Sequence, residues 1–193
     1  MKALEEKILK EGKVYGGEIL KVDGFLNHRI DVAFLNEIGK EIYRLYQNEG
    51  ITKILTIEAS GIGIACVAAL HFDPVVPVVF AKKTESHNIS KDVYLSHVHS
   101  YTKGKHYDVR VSKEHLSPED KVLIIDDFLA MGSALMALTD ICKQAGASIA
   151  GASVVIEKAY QGGGDAIRAS GIRVEALARI QAMSEESGIE FIE

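Results

Sequence analysis

Hydrophobic and polar positions alternate along the chain in blocks that predict strands and helices in turn. Four short apolar runs bounded by turn residues are typical of buried strands, at residues 52–57, 77–81, 122–125 and 149–156. Helical spacing of apolar residues fills the intervals, with helices expected after Asp31, after the turn at 58–61, and from Ser133 to Gly146. Such alternation is typical of an α/β fold, in which helices flank both faces of a parallel sheet.

The pattern differs in two parts of the chain. Residues 93–101 and 106–111 alternate between polar and apolar positions, which predicts an antiparallel hairpin that is polar enough to be mobile. Near the N-terminus, residues 18–22 alternate in the same way and meet a turn at Asp23-Gly24. We therefore expect a small N-terminal cap and a mobile hairpin on one domain that spans residues 1–193.

Composition narrows the class of protein. The 193 residues are 47% hydrophobic and 25% charged, which excludes collagen-like and intrinsically disordered chains. The net charge of −5 offers no global basic field for nucleic acid, and the longest apolar stretch is far shorter than the roughly 20 residues that span a bilayer. Acidic residues near the N-terminus stand where a signal peptide requires an apolar core. With Cys66 and Cys142 both in apolar helical settings, we expect two reduced, buried thiols in a cytoplasmic protein.

The strongest chemical signal is a pair of acids, Asp126 and Asp127, at the end of the third predicted strand, before a loop of small residues and a helix. Parallel α/β sheets bind ligands at the carboxyl ends of their strands. Loop amides and the helix N-terminus can hold a phosphate, Gly132 permits close approach, and Ser133 adds a hydroxyl. The carboxylates can accept hydrogen bonds from sugar hydroxyls or help to hold a hydrated Mg²⁺. Together these features indicate a ribose 5-phosphate site.

Simpler interpretations of the same residues remain. The acid pair can merely solvate a strand end, and Gly132 can be an ordinary turn residue. Receiver domains and haloacid-type phosphatases carry their key aspartate on the first strand, whereas this pair comes late.

A dinucleotide site at residues 61–63 is disfavoured because Cys66 stands at the third glycine position. His97 and His99 share a predicted strand face, but no third ligand has the spacing of a zinc site.

Five segments carry, in order, a resemblance to a known family: VDGFLNH at 22–28, IEASGI at 57–62, VVFAKK at 78–83, LIIDDFLA at 123–130 and VIEK at 155–158. The apolar run with two acids and a loop of small residues resembles the phosphoribosyl diphosphate signature of the type I phosphoribosyltransferases. The Leu-Asn-His block and the late Glu-Lys pair resemble the branch of these enzymes that acts on xanthine. The resemblance covers essentially the whole chain.

The resemblance implies which residues bind the sugar phosphate. Asp126 and Asp127 match the catalytic pair that faces the ribose 2- and 3-hydroxyls. The loop that holds the 5-phosphate is matched by Ala130, Met131, Gly132, Ser133 and Ala134. The loop near the pyrophosphate is matched by Ala59, Ser60 and Gly61, and Lys82 is placed to offset the pyrophosphate charge. Met131 stands where many relatives carry Thr or Asn, so one side-chain contact to the phosphate is missing.

The resemblance also implies the base and the reaction. Leu20, Asn27 and Lys158 match the purine-binding positions. The expected reaction transfers the 5-phosphoribosyl group from phosphoribosyl diphosphate to xanthine, giving xanthosine 5-phosphate and pyrophosphate in purine salvage. Mg²⁺ is expected to arrive with the diphosphate, without a metal site of the protein's own, and the protein is expected to be a homodimer. The segment 86–105 would close over the site and exclude water.

Two alternatives stay open. The base could be guanine, hypoxanthine or adenine instead of xanthine. The chain could also be a phosphoribosyltransferase-like regulator that binds its ligand without turnover. Such regulators usually add a nucleic-acid-binding surface or domain, for which this chain has neither spare length nor a positive charge balance. We therefore expect small-molecule partners, with no nucleic acid and no membrane.

Overall fold

The computed structural model describes residues 1–83, 92–100 and 105–192. Its α-helices are α1 (Lys2–Glu11), α2 (Val32–Tyr46), α3 (Ser60–Ala69), α4 (Ser133–Ala145) and α5 (Gly163–Ala169). Its strands are β1 (Lys13–Tyr15), β2 (Ile19–Lys21), β3 (Lys53–Ile57), β4 (Val78–Ala81), β5 (Val93–Ser100), β6 (Lys105–Ser112), β7 (Lys121–Leu129), β8 (Ser148–Lys158), β9 (Val174–Ser184) and β10 (Gly188–Phe191). No helix within these ranges is long and apolar enough to cross a membrane.

The central sheet has the spatial order β10-β9-β8-β7-β3-β4. Its neighbouring strands run parallel, except that β10 pairs with β9 in the antiparallel direction. The α/β fold expected from the sequence is confirmed, although the sheet is mixed and mostly parallel rather than wholly parallel. Because parallel strands end at the same edge, the residues that end β3, β4, β7 and β8 come together there.

Successive residues of β7 pack into two different cores, because the side chains of a strand alternate between the two faces of its sheet. Leu123 and Ile125 belong to a core shared with α1, α2, α3 and the N-terminal cap. Val122 and Ile124 belong to a second core, shared with α4 and the β5–β6 hairpin. All four side chains are fully buried, which explains why this strand reads as a continuous apolar run.

Helix ends follow local signals in the sequence. Asp31 caps α2, as predicted, because its Oδ1 atom accepts a hydrogen bond from the backbone N–H of Phe34 at 3.1 Å. Helix α4 ends at Gly146, whose φ of +71° is a left-handed conformation that glycine adopts without a Cβ clash. These two helices therefore begin and end close to where the sequence places them.

The N-terminal cap consists of the β1–β2 ladder and a π-helical turn over Asp23–Asn27. The strand predicted at residues 18–22 is confirmed as β2, whereas its three-residue partner β1 is too short to give a pattern. The cap is fixed to the body through Phe25, whose ring meets that of Phe34 edge to face at a centroid distance of 6.0 Å. This packing sets the height of the turn above the sheet edge.

The hairpin predicted from alternation is present as β5 and β6, which pair in antiparallel register from Val93↔Ser112 onward. It lies against α4, where the side-chain amide of Gln144 donates to the backbone oxygen of Leu95 at 2.8 Å. Half of the predicted mobile segment 86–105, residues 86–91 and 101–104, lies outside the described residues, so its closure over the site stays a prediction.

The two cysteines differ in exposure, and the expectation of two buried thiols is wrong for one of them. Cys142 is buried in α4, and burial raises the pKa of its thiol to about 12. Cys66 is exposed. Helix α3 buries the neighbouring residues Ala65 and Ala68, and each residue turns roughly 100° around a helix, so Cys66 lies on the outward face.

Candidate active site

The acid pair lies inside a strand rather than after it. Strand β7 continues to Leu129, which pairs with Glu157 of β8, so the strand end predicted at residue 125 was too early. Asp126 is only 5% exposed, and its Oδ1 atom accepts a hydrogen bond from the N–H of Asp127 at 2.9 Å. The Oδ1 atom of Asp127 accepts one from Phe128 at 2.9 Å. These backbone bonds hold both carboxyl groups at the carboxyl edge of the sheet.

The two acids occupy different electrostatic settings. Burial, and next the proximity of Asp127, raises the pKa of Asp126 well above the usual aspartate range, while the charge of Lys83 opposes the rise. Without substrate, Asp126 therefore keeps its proton at pH values where an exposed aspartate is ionised. A protonated carboxyl group donates as well as accepts hydrogen bonds, which suits a group that faces sugar hydroxyls.

Residues 130–132 connect β7 to α4, and residues 133 and 134 begin α4; we call the whole segment 130–134 the phosphate turn. Gly132, with a φ of +83°, directly precedes the first residue of α4. The first amides of a helix have no partner within the helix, and the helix dipole adds positive potential at this end. The turn therefore presents backbone N–H groups that suit a phosphate, even with Met131 in place of a polar side chain.

The loop Ala59-Ser60-Gly61 joins β3 to α3 beside the acid pair. A Cβ atom on Gly61 would overlap the hydroxyl oxygen of Thr56 and would lie 3.4 Å from Oδ1 of Asp126. Only glycine permits so close an approach. The Thr56 hydroxyl is itself buried and has no hydrogen-bond partner among the described residues. The structure thus brings this loop and the acid pair together.

The two lysines after β4 face different surroundings. Lys82 exchanges two backbone hydrogen bonds with Arg110 at 3.0 Å, and its side chain lines a groove between β4 and β6, with Nζ 6.0 Å from the ring centroid of Phe80. The positive charge of Lys83 instead interacts with Asp126 and opposes the rise in the pKa of that carboxyl group. Nζ of Lys83 also lies 5.7 Å from the ring centroid of Tyr107, so Lys83 joins the candidate site. The expected role of Lys82 stays a prediction.

Three residues at this edge of the sheet were not among the predicted site residues. One is Lys83, which side-chain alternation after β4 could have separated from Lys82. Another is Glu58, whose carboxylate accepts a hydrogen bond from the N–H of Lys83 at 2.5 Å. The third is Tyr107 of β6, where burial first and the charge of Asp126 second raise the pKa of the phenol. No local signal marks Tyr107, because only the folded hairpin brings it here.

The three predicted purine positions come together at the cap. Leu20 is 7% exposed in β2. The ammonium of Lys158, the last residue of β8, donates to the backbone oxygen of Glu18 at 2.5 Å. Burial lowers the pKa of Lys158, although Glu18 opposes the change. Asn27 donates through Nδ2 to Oδ2 of Asp127 at 3.4 Å. The cap therefore stands beside both the acid pair and the end of β8.

Within the residues that the structure describes, no group of three or more His, Cys, Asp or Glu side chains is arranged to hold a metal ion. His97, considered above as a zinc ligand, has its Nδ1 atom 2.7 Å from Oδ1 of Asp108 on the neighbouring strand. The chemistry that this site offers on its own is therefore anion binding by amides and cations, together with recognition of hydroxyl groups by carboxyl groups.

Comparison with known proteins places the chain in a family. Residues 26–171 match the model of the phosphoribosyl transferase domain. A xanthine phosphoribosyltransferase of Ruminiclostridium cellulolyticum is 54% identical over 193 residues, which is 100% of both chains. Xanthine phosphoribosyltransferase 1 of Clostridium perfringens is 57% identical over 185 residues, covering 96% of this chain and 97% of its own.

A solved structure shows the same fold at lower identity. Adenine phosphoribosyltransferase from Trypanosoma brucei, in complex with AMP, pyrophosphate and ribose-5-phosphate, aligns with a TM-score of 0.79 at 18% identity, covering 96% of this chain and 83% of that one. The arrangement of strands, helices and phosphate turn is thus that of a type I phosphoribosyltransferase. The family model and the full-length relatives agree: the chain belongs to the phosphoribosyltransferase family and, within it, groups with the xanthine phosphoribosyltransferases.

Proposed function

We propose that this protein transfers the 5-phosphoribosyl group of phosphoribosyl diphosphate to xanthine, forming xanthosine 5-phosphate and pyrophosphate in purine salvage. The observation that carries the proposal is that the cap meets the sugar site: Asn27 lies within hydrogen-bonding distance of Asp127, three residues before the phosphate turn. A purine held by the cap is then next to a ribose held by the acid pair. The identity of 54–57% to proteins named for this reaction supports xanthine as the base.

The sugar phosphate is expected to lie along the sheet edge. In this proposal the 5-phosphate accepts hydrogen bonds from the backbone amides of Ala130, Met131, Gly132, Ser133 and Ala134. Asp126 and Asp127 face the ribose hydroxyls, and the pyrophosphate lies toward the loop 59–61 with Lys82 offsetting its charge. Asp126 donates or accepts according to its protonation, whereas its neighbour is held partly in solvent. These contacts orient C1 of the ribose toward the base.

The purine is expected to pack on Leu20 and to accept hydrogen bonds from two donors. Lys158 carries only donors, so its ammonium suits the 6-oxygen of an oxopurine and favours a partly anionic xanthine. Asn27 can donate its amide to the 2-carbonyl of xanthine, where guanine has an amino group instead. The bond from Lys158 to Glu18 holds the ammonium near the cap before the base arrives.

A divalent cation fits this site as a companion of the substrate. The protein offers two adjacent carboxyl groups and no larger ligand cluster in its described residues, and Mg²⁺ is commonly held by one or two carboxylates, phosphate oxygens and water. When bound, Mg²⁺ supplies a Lewis acid that stabilises charge on the departing pyrophosphate. The remaining contribution of the protein is positioning and electrostatic stabilisation by fixed donors, with water kept from the oxocarbenium-like ribose.

We extend the proposal to a homodimer in the cytoplasm, with the whole chain acting as one catalytic domain. The resemblance to the family supports the homodimer. The two thiols, neither of which forms a disulfide, are consistent with a reducing compartment.

The test is a product panel. Protein, Mg²⁺ and phosphoribosyl diphosphate are mixed with xanthine, guanine, hypoxanthine or adenine in separate reactions, and pyrophosphate and nucleotide are measured. We expect the highest kcat/KM with xanthine, and we expect the double variant D126N/D127N to lose turnover. Fastest turnover with another purine would reassign the base. Tight binding of phosphoribosyl diphosphate without release of pyrophosphate for any purine would favour the regulator.

A further inference from the structure

A buried carboxylate next to the purine-binding lysine has no role in the reaction described so far. Glu157 is 1% exposed, and its two oxygens accept three hydrogen bonds. Arg168 of α5 donates to both oxygens, at 2.8 and 2.7 Å, and Arg179 of β9 donates to Oε2 at 2.9 Å. Burial alone would raise the pKa of Glu157, but the two guanidinium groups hold it below its usual range. Glu157 is therefore a charged anchor for α5.

Helix α5 in turn lies directly on the phosphate turn. A Cβ atom on Gly163, the first residue of α5, would overlap the backbone oxygen of Ala130 and would lie 2.5 Å from the carbonyl carbon of Met131. From the other side, a Cβ atom on Gly132 would lie 3.1 Å from the side chain of Ile167. The backbones of α5 and the turn thus touch without intervening side chains, and only glycine at position 163 allows this.

Glu157 and the phosphate turn are also connected through the pairing of β7 with β8. Glu157 is the partner of Leu129 across the β7–β8 ladder, and Leu129 is the residue just before the phosphate turn. A Cβ atom on Gly164 would overlap Oε1 of Glu157, so the helix start is packed against the carboxylate as closely as against the turn. Glu157, the start of α5 and residues 130–132 therefore form one continuous set of contacts.

Helix α5 needs such an anchor because it is short. It has seven residues, and glycine occupies its N-cap position and its first two helical positions. An isolated helix of this length and composition is unstable in water. The position of α5 is therefore set by tertiary contacts. Among these contacts, the two parallel hydrogen bonds between Arg168 and Glu157 constrain the orientation of both side chains. Loss of the carboxylate would also leave Arg168 without its main partner.

We propose that Glu157 is a positioning residue for the phosphate turn: through Arg168 it holds α5 against residues 130–132 and so presets the amides that receive the 5-phosphate. The inference rests on the proposed function for its ligand, but the contact itself is independent of it. Glu157 touches no substrate in this scheme, and Lys158 beside it extends toward the cap, away from α5. The effect of Glu157 is therefore expected on the sugar phosphate rather than on the base.

The test uses two variants and a matched control. E157Q removes the charge, and G163A keeps it but forces α5 and the turn apart. D120N is the control, because Asp120 is another buried carboxylate with a cationic partner: it is 8% exposed, accepts a hydrogen bond from Lys53 at 2.8 Å and lies just before β7, at the opposite end of the strand from the site. KM for phosphoribosyl diphosphate, KM for xanthine and kcat are measured for all three. Amide hydrogen exchange of a peptide covering residues 129–136 is measured without ligands.

We expect E157Q and G163A to raise KM for phosphoribosyl diphosphate by about tenfold or more, with KM for xanthine changed by less than about threefold. Exchange in residues 129–136 should accelerate in both variants and stay at the wild-type rate in D120N. Wild-type KM and wild-type exchange in either variant would overturn the inference, as would an equal change in D120N. If E157Q does not fold, R168K takes its place beside G163A, because lysine cannot make the paired hydrogen bonds through which Arg168 meets Glu157. A wild-type protein without turnover would refute the proposed function, whereas exchange would still decide whether Glu157 positions the turn.

Discussion

The side-chain amide of Asn27 lies 3.4 Å from Oδ2 of Asp127, so the N-terminal cap touches the acid pair of β7. The cap and the sugar site are therefore one structural unit, although the two residues are far apart in the chain. A substitution at position 27 therefore affects both the cap and Asp127, and a test of base recognition has to distinguish the two effects.

Replacing Asn27 by Ala should lower the preference for xanthine over guanine. The 2-carbonyl of xanthine requires a donor that guanine does not, and an unpaired buried polar group can cost a factor of about ten or more in discrimination. Asn27→Asp, which also removes the donor, would place a carboxylate beside Asp127, so the alanine variant is the cleaner test. The measurement is the ratio of kcat/KM for the two bases. An equal loss for both would assign Asn27 to supporting Asp127 only.

Asp126→Asn should lose activity and gain stability. A typical hydrogen bond contributes about 0.5–1.5 kcal/mol and a buried polar group left unpaired costs about 1–3 kcal/mol, so turnover should fall about tenfold or more. Because the pKa of Asp126 is raised on folding, the native state binds the proton more tightly, and wild-type stability declines as pH rises from the unfolded to the folded pKa.

Asparagine does not ionise, so the variant should lack that decline. Urea midpoints measured at about pH 5 and about pH 8 should differ less in Asp126→Asn than in the wild type. The same pH dependence in both proteins would show that Asp126 is not the group responsible.

Replacing Lys82 and replacing Lys83 should have different effects on the pH dependence of kcat/KM. If both offset pyrophosphate charge, Lys82→Ala and Lys83→Ala each raise KM for phosphoribosyl diphosphate. The charge of Lys83 opposes the rise in the pKa of Asp126, so its loss should move the pH dependence of kcat/KM to higher pH, and Lys82→Ala should not. A shift in the Lys82 variant alone would reverse the assignment of the lysine that faces the acid pair.

Thr56→Val should stabilise the protein. The Thr56 and Ser153 hydroxyls are buried without a hydrogen-bond partner in the described part of the chain, and relief of an unsatisfied group is worth about 1 kcal/mol or more. Ser153→Ala is the companion variant in the middle of β8, where Ser153 pairs with Ile125, the residue before the acid pair. Denaturant unfolding should show a gain in both. Destabilisation of Thr56→Val would mean that an ordered water satisfies that hydroxyl.

Local patterns determined much of the fold in advance. The period of apolar residues and the end signals at Asp31 and Gly146 correctly predicted two long helices, because capping and periodicity depend on residues within one or two turns of each other. The continuous apolar runs predicted the parallel core strands for a similar reason, since burial on both faces leaves no polar position. The acid pair and the small-residue turn were likewise visible as one continuous segment.

What the sequence could not decide depends on contacts between distant residues. Strand β7 extends through its acids because β8 pairs with it as far as Glu157. Strands β1 and β10 were not predicted, because they are defined by their pairing with β2 and β9. Which lysine faces Asp126 depends on where β4 ends against the hairpin. The contact of Gly163 with the phosphate turn joins two segments that are separated in the chain by the rest of α4 and all of β8. Each of these features is set by packing between segments that are distant in the chain. No local pattern in either segment indicates the contact, so only the tertiary structure decided these features.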